Sequence, residues 1–348
     1  MSTVVFMGTP DFAAGILEAL LQSEYAVIGV FTQPDRPKGR GGKVAMSPVK
    51  ELAESAGIPV YQPVKIRTPE NTVILRDLSP DFIVVAAFGQ IIPQPILDIP
   101  RFGCLNVHAS LLPAWRGAAP IQWSILNGDR ESGVTIMRMN AGLDTGDIFA
   151  KQTEPIREDE TGGSLFDRLC PVGADLLLRT MDSVVNRTAV YTPQPRESTT
   201  PYAAQLQRKD GEICWSDSAA AIERRIRALS PWPGTYTREH GKMLKIWRAE
   251  VVKESLRMAE GAQKAAESAD AGRGPEAADL PGAGEVSGDA GASRALPGQI
   301  VSVTKDSLTV QTGDGLLSLL EVQPEGKKRM STDAWLRGYR QQEGDRLG

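Results

Sequence analysis

Phe102-Gly-Cys-Leu-Asn-Val-His-Ala-Ser-Leu-Leu-Pro-Ala-Trp-Arg-Gly-Ala-Ala-Pro120 begins as a strand and breaks into a loop. Residues 105–109 carry the strand signal, and a strand turns side chains i and i+2 to one face. Asn106 and His108 therefore point the same way at the strand's end, just before Ser110-Leu-Leu-Pro113 and the Trp115-Arg-Gly117 turn. His108 is one of only two histidines in the chain. A neutral amide donor beside a titratable base is a set of parts for acyl chemistry. On spacing alone the bland reading, an edge-strand Asn and His bonded to nearby backbone, stays open.

Upstream of this stretch, strand and helix alternate. Residues 4–7 read as a strand, Gly8-Thr-Pro-Asp11 turns into a helix with Ile16, Leu17, Leu20 and Leu21 on one face, and residues 26–32 form the next strand. Residues 33–46 are a polar, basic loop. Ser47-Pro48 opens a second helix in cap-then-proline order, and Gly57 ends it. Residues 58–61 are a short strand, 70–78 a helix, and 82–87 a continuous apolar strand of the kind buried in parallel sheets. Helices are expected at 118–127 and 163–186. Repeated β-α-β units predict an α/β, Rossmann-like, doubly wound and mostly parallel sheet over residues 1–187. Ligands bind such sheets beyond the carboxyl ends of the strands. The first turn has one glycine, not Gly-x-Gly-x-x-Gly, so no dinucleotide fingerprint is present.

The nearest acidic candidate lies in Met139-Asn-Ala-Gly-Leu-Asp-Thr-Gly-Asp147, where Gly142 and Gly146 mark a tight loop around Asp144. Residues 134–139 alternate like a strand. A carboxylate on that loop could orient His108 and favour its charged form. Alternatively, Asp144 caps its own turn. Asp144-Thr-Gly146 is also the aspartic-protease signature, but that chemistry needs two carboxylates sharing a proton, and no second Asp-Thr-Gly or Asp-Ser-Gly occurs. Gly39-Arg-Gly-Gly-Lys43 has neither the spacing nor the following Ser or Thr of a phosphate loop. Trp115 and Trp123 read as packing residues.

Asn106, His108, Ser110-Leu-Leu-Pro113, Trp115-Arg-Gly117 and Gly142-Leu-Asp-Thr-Gly-Asp147 together resemble the folate-dependent formyltransferases. Phe6-Met-Gly-Thr-Pro-Asp-Phe12 and Gln33-Pro-Asp-Arg-Pro-Lys-Gly-Arg-Gly-Gly-Lys43 narrow the resemblance to the methionyl-tRNA branch of that family. The resemblance implies 10-formyltetrahydrofolate as formyl donor and co-substrate, the α-amine of initiator methionyl-tRNA as acceptor, and no metal. It also implies that Asn106, His108 and Asp144 are catalytic. Asn106 would donate to the developing oxyanion, and His108, held by Asp144, would do the same and manage the proton. Ser110, Leu111, Leu112 and Pro113, with Phe88 and Gly89, would line the folate site. Arg36, Lys38, Arg40 and Lys43 would contact the tRNA.

Two alternatives remain. A formyltransferase acting on a small amine, such as glycinamide ribonucleotide or an amino-sugar nucleotide, needs neither the basic loop nor a second domain. A non-catalytic RNA-binding module would not need Asn106, His108 and Asp144.

At 348 residues the chain is long enough for two domains. No apolar run approaches the length that crosses a bilayer, and the amino terminus enters a strand at once, so neither membrane association nor a signal peptide is expected. Cys104, Cys170 and Cys214 lie far apart without metal-ligand spacing, as in a reduced, cytoplasmic protein. A monomer is the expected state. The net charge of −4 hides local excesses of positive charge. Residues 33–50 carry Arg36, Lys38, Arg40, Lys43 and Lys50 against Asp35 alone, and residues 206–253 carry ten Lys and Arg against six Asp and Glu. Such patches suit a polyanionic partner better than the net charge suggests.

Residues 188–205 are polar and proline-bearing, as a linker between domains would be. Beyond them come a helix at 218–229 and short strands at 235–238, 243–252, 299–304, 307–312 and 315–322, which suggest a small barrel over residues 206–348. By resemblance this second domain is OB-like and binds tRNA. Residues 254–297 interrupt it with no aromatic residue and with eight acids against four bases. That composition reads as a disordered insertion.

Overall fold

Val4, Val5, Phe6 and Met7 are all fully buried, as in a strand covered on both faces by helices. The computed structural model describes residues 1–38, 43–252 and 295–348, which divide into two units, Met1–Leu206 and Gln207–Gly348.

In the first unit, β1 (Thr3–Gly8), α1 (Asp11–Leu21), β2 (Ala26–Phe31), β3 (Arg36–Lys38), β4 (Lys43–Ala45), α2 (Pro48–Ser55), β5 (Val60–Tyr61), α3 (Pro69–Leu78), β6 (Phe82–Ala86), α4 (Gln94–Leu97) and β7 (Cys104–His108) follow in order. They are succeeded by α5 (Pro120–Asn127), β8 (Glu131–Arg138), β9 (Ile148–Pro155) and α6 (Gly162–Val185). One seven-stranded sheet runs β5-β2-β1-β6-β7-β8-β9, parallel from β5 to β7 and antiparallel at β8 and β9. The doubly wound, mostly parallel sheet predicted from the sequence is the one observed.

Local chemistry accounts for the helix ends. The Ser47 hydroxyl accepts from the Lys50 amide at the start of α2, with Pro48 at its first position. Thr161 and Ser164 form a reciprocal capping box at the start of α6.

Helix α6 sets the position of the key strand. A Cβ on Gly173 would stand 3.0 Å from a Val107 methyl and 3.3 Å from a Val134 methyl, so a side chain there would press on β7 and β8 and the glycine lets the helix lie this close without strain. Val107 is thereby fixed against the helix. Its neighbours Asn106 and His108 are turned to the opposite face by strand alternation.

The structure corrects several expectations. Part of the basic loop is a hairpin: β3 and β4 pair antiparallel, Arg36 opposite Ala45 and Lys38 opposite Lys43. Residues 134–139 do not alternate in burial; β8 is buried through six successive residues because both its faces are covered. Strand β9 and helix α4 had no clear sequence signal. β9 is an edge strand whose residues all stay at least partly accessible and whose second half is polar, so it never shows the apolar pattern of a core strand. Residues 188–205 lie with the first unit and are pinned to it by hydrogen bonds described below.

The second unit contains α7 (Ala219–Ala228), β10 (Thr235–Glu239), β11 (Lys242–Val251), β12 (Ile300–Val303), β13 (Leu308–Gln311), β14 (Leu316–Pro324), β15 (Met330–Ser331) and α8 (Thr332–Gly338). Its strands form a wholly antiparallel sheet, β10-β11-β14-β13-β12 with β15 beside β14, consistent with the small barrel expected. Ile222 and Ile226 of α7, with Leu244, Val310, Leu317, Leu319 and Trp335, fill its core. Of the expected insertion, residues 254–294 lie outside the described residues.

Candidate active site

β7 ends at His108, and the chain after it is held by short-range bonds. The Ser110 amide donates to the His108 carbonyl, and the Ser110 hydroxyl to the Ala114 carbonyl at 2.7 Å. Thr135 of the adjacent β8 accepts from the Leu112 amide at 3.1 Å and donates to the Ser110 carbonyl at 2.6 Å. The loop then reaches Trp115, whose φ of +57° is a left-handed conformation that a bulky residue adopts only under constraint. The constraints are visible. The Trp115 amide donates to Thr200 Oγ1 at 2.7 Å, its indole N–H to Asp129 at 2.7 Å, and its ring stacks on Trp123. Both tryptophans therefore pack, as their sequence context suggested.

This loop presents two backbone groups to the polar pair on β7. The Trp115 carbonyl lies 3.1 Å from His108 Nε2, and because a carbonyl only accepts, the proton of that contact is on Nε2. The Gly117 amide donates to Asp144 Oδ2 at 2.9 Å. Gly117 has φ +133°, and a Cβ there would stand 2.5 Å from the Ala203 carbonyl oxygen, so the position demands glycine.

Asp144 closes the site. Its Oδ2 lies 3.8 Å from His108 Nδ1, within ion-pair range but beyond a direct hydrogen bond, and its Oδ1 accepts weakly from Asn106 Nδ2 at 3.5 Å. Asn106 and His108 are 8% and 6% exposed, so the three polar groups sit at low effective dielectric, where a fixed dipole acts strongly. The alternative that Asp144 merely caps its own turn does not describe it: its carboxylate bonds to Gly117 and faces Asn106 and His108.

The residues expected around the folate are placed unevenly. Leu111 and Pro113 are half-buried and Gly89 is exposed, while Ser110 and Leu112 are buried. The ring of Phe88 is 2% exposed and packs in an apolar cluster with Met7, Phe31, Ile83 and Val85. Phe88 therefore stands behind a ligand wall and not in it, because an apolar ring gains more from the core. Its carbonyl accepts from Gln33 Nε2 at 3.0 Å. Of the basic residues, Arg36 is exposed on β3, and Lys38 and Lys43 are partners in the backbone register of the hairpin. Arg40 lies outside the described residues.

Sequence reading missed the segment after α6. Arg116 is 6% exposed and gives its guanidinium to Gln194 Oε1 and to the carbonyls of Pro195 and Arg196. Ala203 accepts from the amides of Ala118 and Ala119, and Trp123 donates to the Ala204 carbonyl. Tyr202 is half-exposed, its ring against Gly117; burial and then the charge of Asp144 push its phenol above the usual tyrosine range. Burial, with a contribution from Asp98, pushes the Cys104 thiol up to about 12, so this cysteine on β7 is no nucleophile at neutral pH. Among the described residues, no group of three or more His, Cys, Asp or Glu is placed to hold a metal ion, and no helix is long and apolar enough to cross a membrane.

An open α/β sheet here places an amide, an imidazole and a carboxylate at a strand's carboxyl end, where such sheets bind their ligands and where fixed donors can serve acyl transfer. The family described as formyl transferase matches residues 1–181, and the formyl transferase C-terminal domain matches residues 205–340. The methionyl-tRNA formyltransferase of Agathobacter rectalis is 47% identical over 98% of both chains, and that of Magnetococcus marinus 45% identical over 99% of this chain and 98% of its own. Among solved structures, the N-formyltransferase of Helicobacter canadensis shares the fold, with a TM-score of 0.60 at 18% identity over 93% of this chain and all of that one. The chain belongs to the methionyl-tRNA formyltransferase family.

Proposed function

We propose that the chain transfers the formyl group of 10-formyltetrahydrofolate to the α-amino group of initiator methionyl-tRNA. The convergence of Asn106, His108 and Asp144 at the end of β7 carries this reading. The acceptor amine, with a free pKa near 8, is nucleophilic once deprotonated. It attacks the formyl carbon, forming a C–N bond and a tetrahedral oxyanion. The Asn106 amide faces that oxygen as a donor, and His108, its Nε2–H given to the Trp115 carbonyl, turns toward the site an Nδ1 that can take up and pass on a proton. Collapse breaks the bond to the folate N10, and the proton lost by the amine goes to that nitrogen through His108. Asp144 holds the imidazole while the proton moves. No step needs a nucleophilic Ser or Cys, in keeping with the raised thiol pKa of Cys104.

The folate would lie along Leu111, Pro113 and Gly89, with Ser110, Leu112 and Phe88 supporting that wall from behind. The crystallised Helicobacter canadensis enzyme, which holds folinic acid, supports a folate-derived donor. Arg36, Lys38, Arg40 and Lys43 would meet tRNA phosphates, because the hairpin leaves the carboxyl end of β2, the same sheet edge as His108. The second unit offers a further surface of suitable chemistry. The Trp247 ring has the Lys245 ammonium at 5.4 Å and the Arg329 guanidinium at 4.9 Å, an aromatic and cationic pairing fit for nucleic acid.

The test is a formylation assay offering methionyl-tRNA and glycinamide ribonucleotide side by side with the same donor. Formylated methionyl-tRNA with the ribonucleotide untouched is the expected outcome. The reverse preference would replace this reading with the small-amine one.

A further inference from the structure

Gln194 belongs to none of the motifs, yet its side chain joins the two loops of the site. Its Oε1 accepts from Arg116 Nε at 3.2 Å and Nη2 at 2.8 Å. Its Nε2 donates to the Asp144 carbonyl at 3.1 Å and the Gly146 carbonyl at 2.6 Å. The neighbours settle the orientation of the amide, since a guanidinium only donates and a carbonyl only accepts. One half-buried residue thus ties the Trp115-Arg-Gly117 turn to the loop that carries Asp144.

Asp144 needs such a tie. Its φ of +51° is a left-handed backbone that costs a non-glycine residue energy and persists only where its surroundings hold it. On the other side of the loop, a Cβ on Gly146 would stand 1.7 Å from the Arg138 carbonyl oxygen, so the backbone is pressed against β8 there. Between these constraints, the Gln194 amide is the side chain that grips the carbonyls flanking Thr145.

We propose that Gln194 is a positioning residue for Asp144, its amide N–H groups holding the loop so that the carboxylate stays beside His108 and Gly117. The inference rests on Asp144 acting with His108 as set out above. Arg116 anchors the oxygen end of the amide, while the nitrogen end fixes the carboxylate's place. The two ends make different predictions for Gln194→Glu. A glutamate keeps an oxygen for Arg116 and gains an ion pair with it. It also sets a second oxygen against two carbonyl oxygens, so the grip on the loop is lost.

In the full-length chain, Gln194→Glu should lower kcat on the order of 10- to 100-fold, the scale of a misplaced reacting group. KM for both substrates and the melting temperature should stay near wild type. In an Asp144→Ala background the same substitution should lower kcat no further, because residues acting as a unit are non-additive. Gln194→Leu, which removes both ends without adding a charge, repeats the cycle should the glutamate variant fold poorly. Wild-type kcat in a folded Gln194→Glu, or equal losses in both backgrounds, would overturn the proposal. Wild-type kcat in Asp144→Ala alone would instead remove the reading of the site on which it stands.

Discussion

Two segments leave the same edge of the sheet and follow opposite physical strategies. The stretch after β7 is buried, glycine-dependent and bonded almost atom by atom: Trp115 is gripped through its amide, indole and carbonyl, and Gly117 through the Asp144 carboxylate. The hairpin after β2 exposes Arg36 and makes a two-stranded ribbon of its own. The first arrangement suits chemistry, where groups must stand within fractions of an ångström of a transition state. The second suits a polyanion, where charge counts for more than exact placement and the interaction is screened by salt. Substitutions in the first segment should therefore act on kcat, and those in the second on KM and its salt dependence.

The largest effects test the polar groups that the buried segment holds in place. Asn106→Ala should lose roughly 10²–10³ in kcat, the scale of a removed oxyanion donor. His108→Ala and Asp144→Ala should each lose at least about 100-fold. The double variant Asn106→Ala/His108→Ala should lose less than the product of the two. Near-normal kcat in a folded His108→Ala, measured by single-turnover formylation, would erase the contrast between the segments.

A backbone change should follow. Gly117→Ala forces a Cβ toward the Ala203 carbonyl in a left-handed conformation and displaces the amide that holds Asp144. It should cost about 1–3 kcal/mol of stability, read as a fall in melting temperature, together with a kcat loss of about ten-fold or more. A kcat at wild-type level in that variant would mean that the Gly117 amide does not position the carboxylate.

The hairpin should respond differently. Replacing Arg40 and Lys43 by alanine should raise KM for methionyl-tRNA on the order of ten-fold and flatten its salt dependence by up to about two units of slope, one for each lost phosphate contact. KM for the folate donor should hold. Unchanged tRNA kinetics and salt slope would show that this segment is no tRNA clamp, and the division of labour would fail on that side.

The smallest effect is spectroscopic. Burial first, and then the charge of Asp144, hold the Tyr202 phenol above its usual range. An anionic neighbour disfavours the phenolate, so Asp144→Asn should lower the Tyr202 pKa only part of the way, leaving the larger burial contribution in place. Absorbance titration of the two proteins gives the comparison. A Tyr202 titration indifferent to Asp144→Asn would argue that residue 144 does not face Tyr202 as an anion.

The amino-acid sequence by itself determined most strands of the sheet, most of its helices, the shared face of Asn106 and His108, and the tight loop that carries Asp144. Those signals are local: Ser47-Pro48 caps a helix within four residues, period-two alternation sets Asn106 and His108 on one face, and glycines mark the loop around Asp144. Tertiary structure alone decided the rest. Phe88 lies in an apolar cluster because residues far from it in the chain converge on it, and the accessible edge strand β9 lacks the apolar pattern that announces a core strand. Residues 188–205 read as a polar connection because nothing in their own pattern names a partner. Gln194 meets Asp144 across 50 residues, and Thr200 meets Trp115 across 85. A hydrogen bond between a side chain and a distant carbonyl leaves no periodicity in either segment, so only the folded chain brings the two ends together.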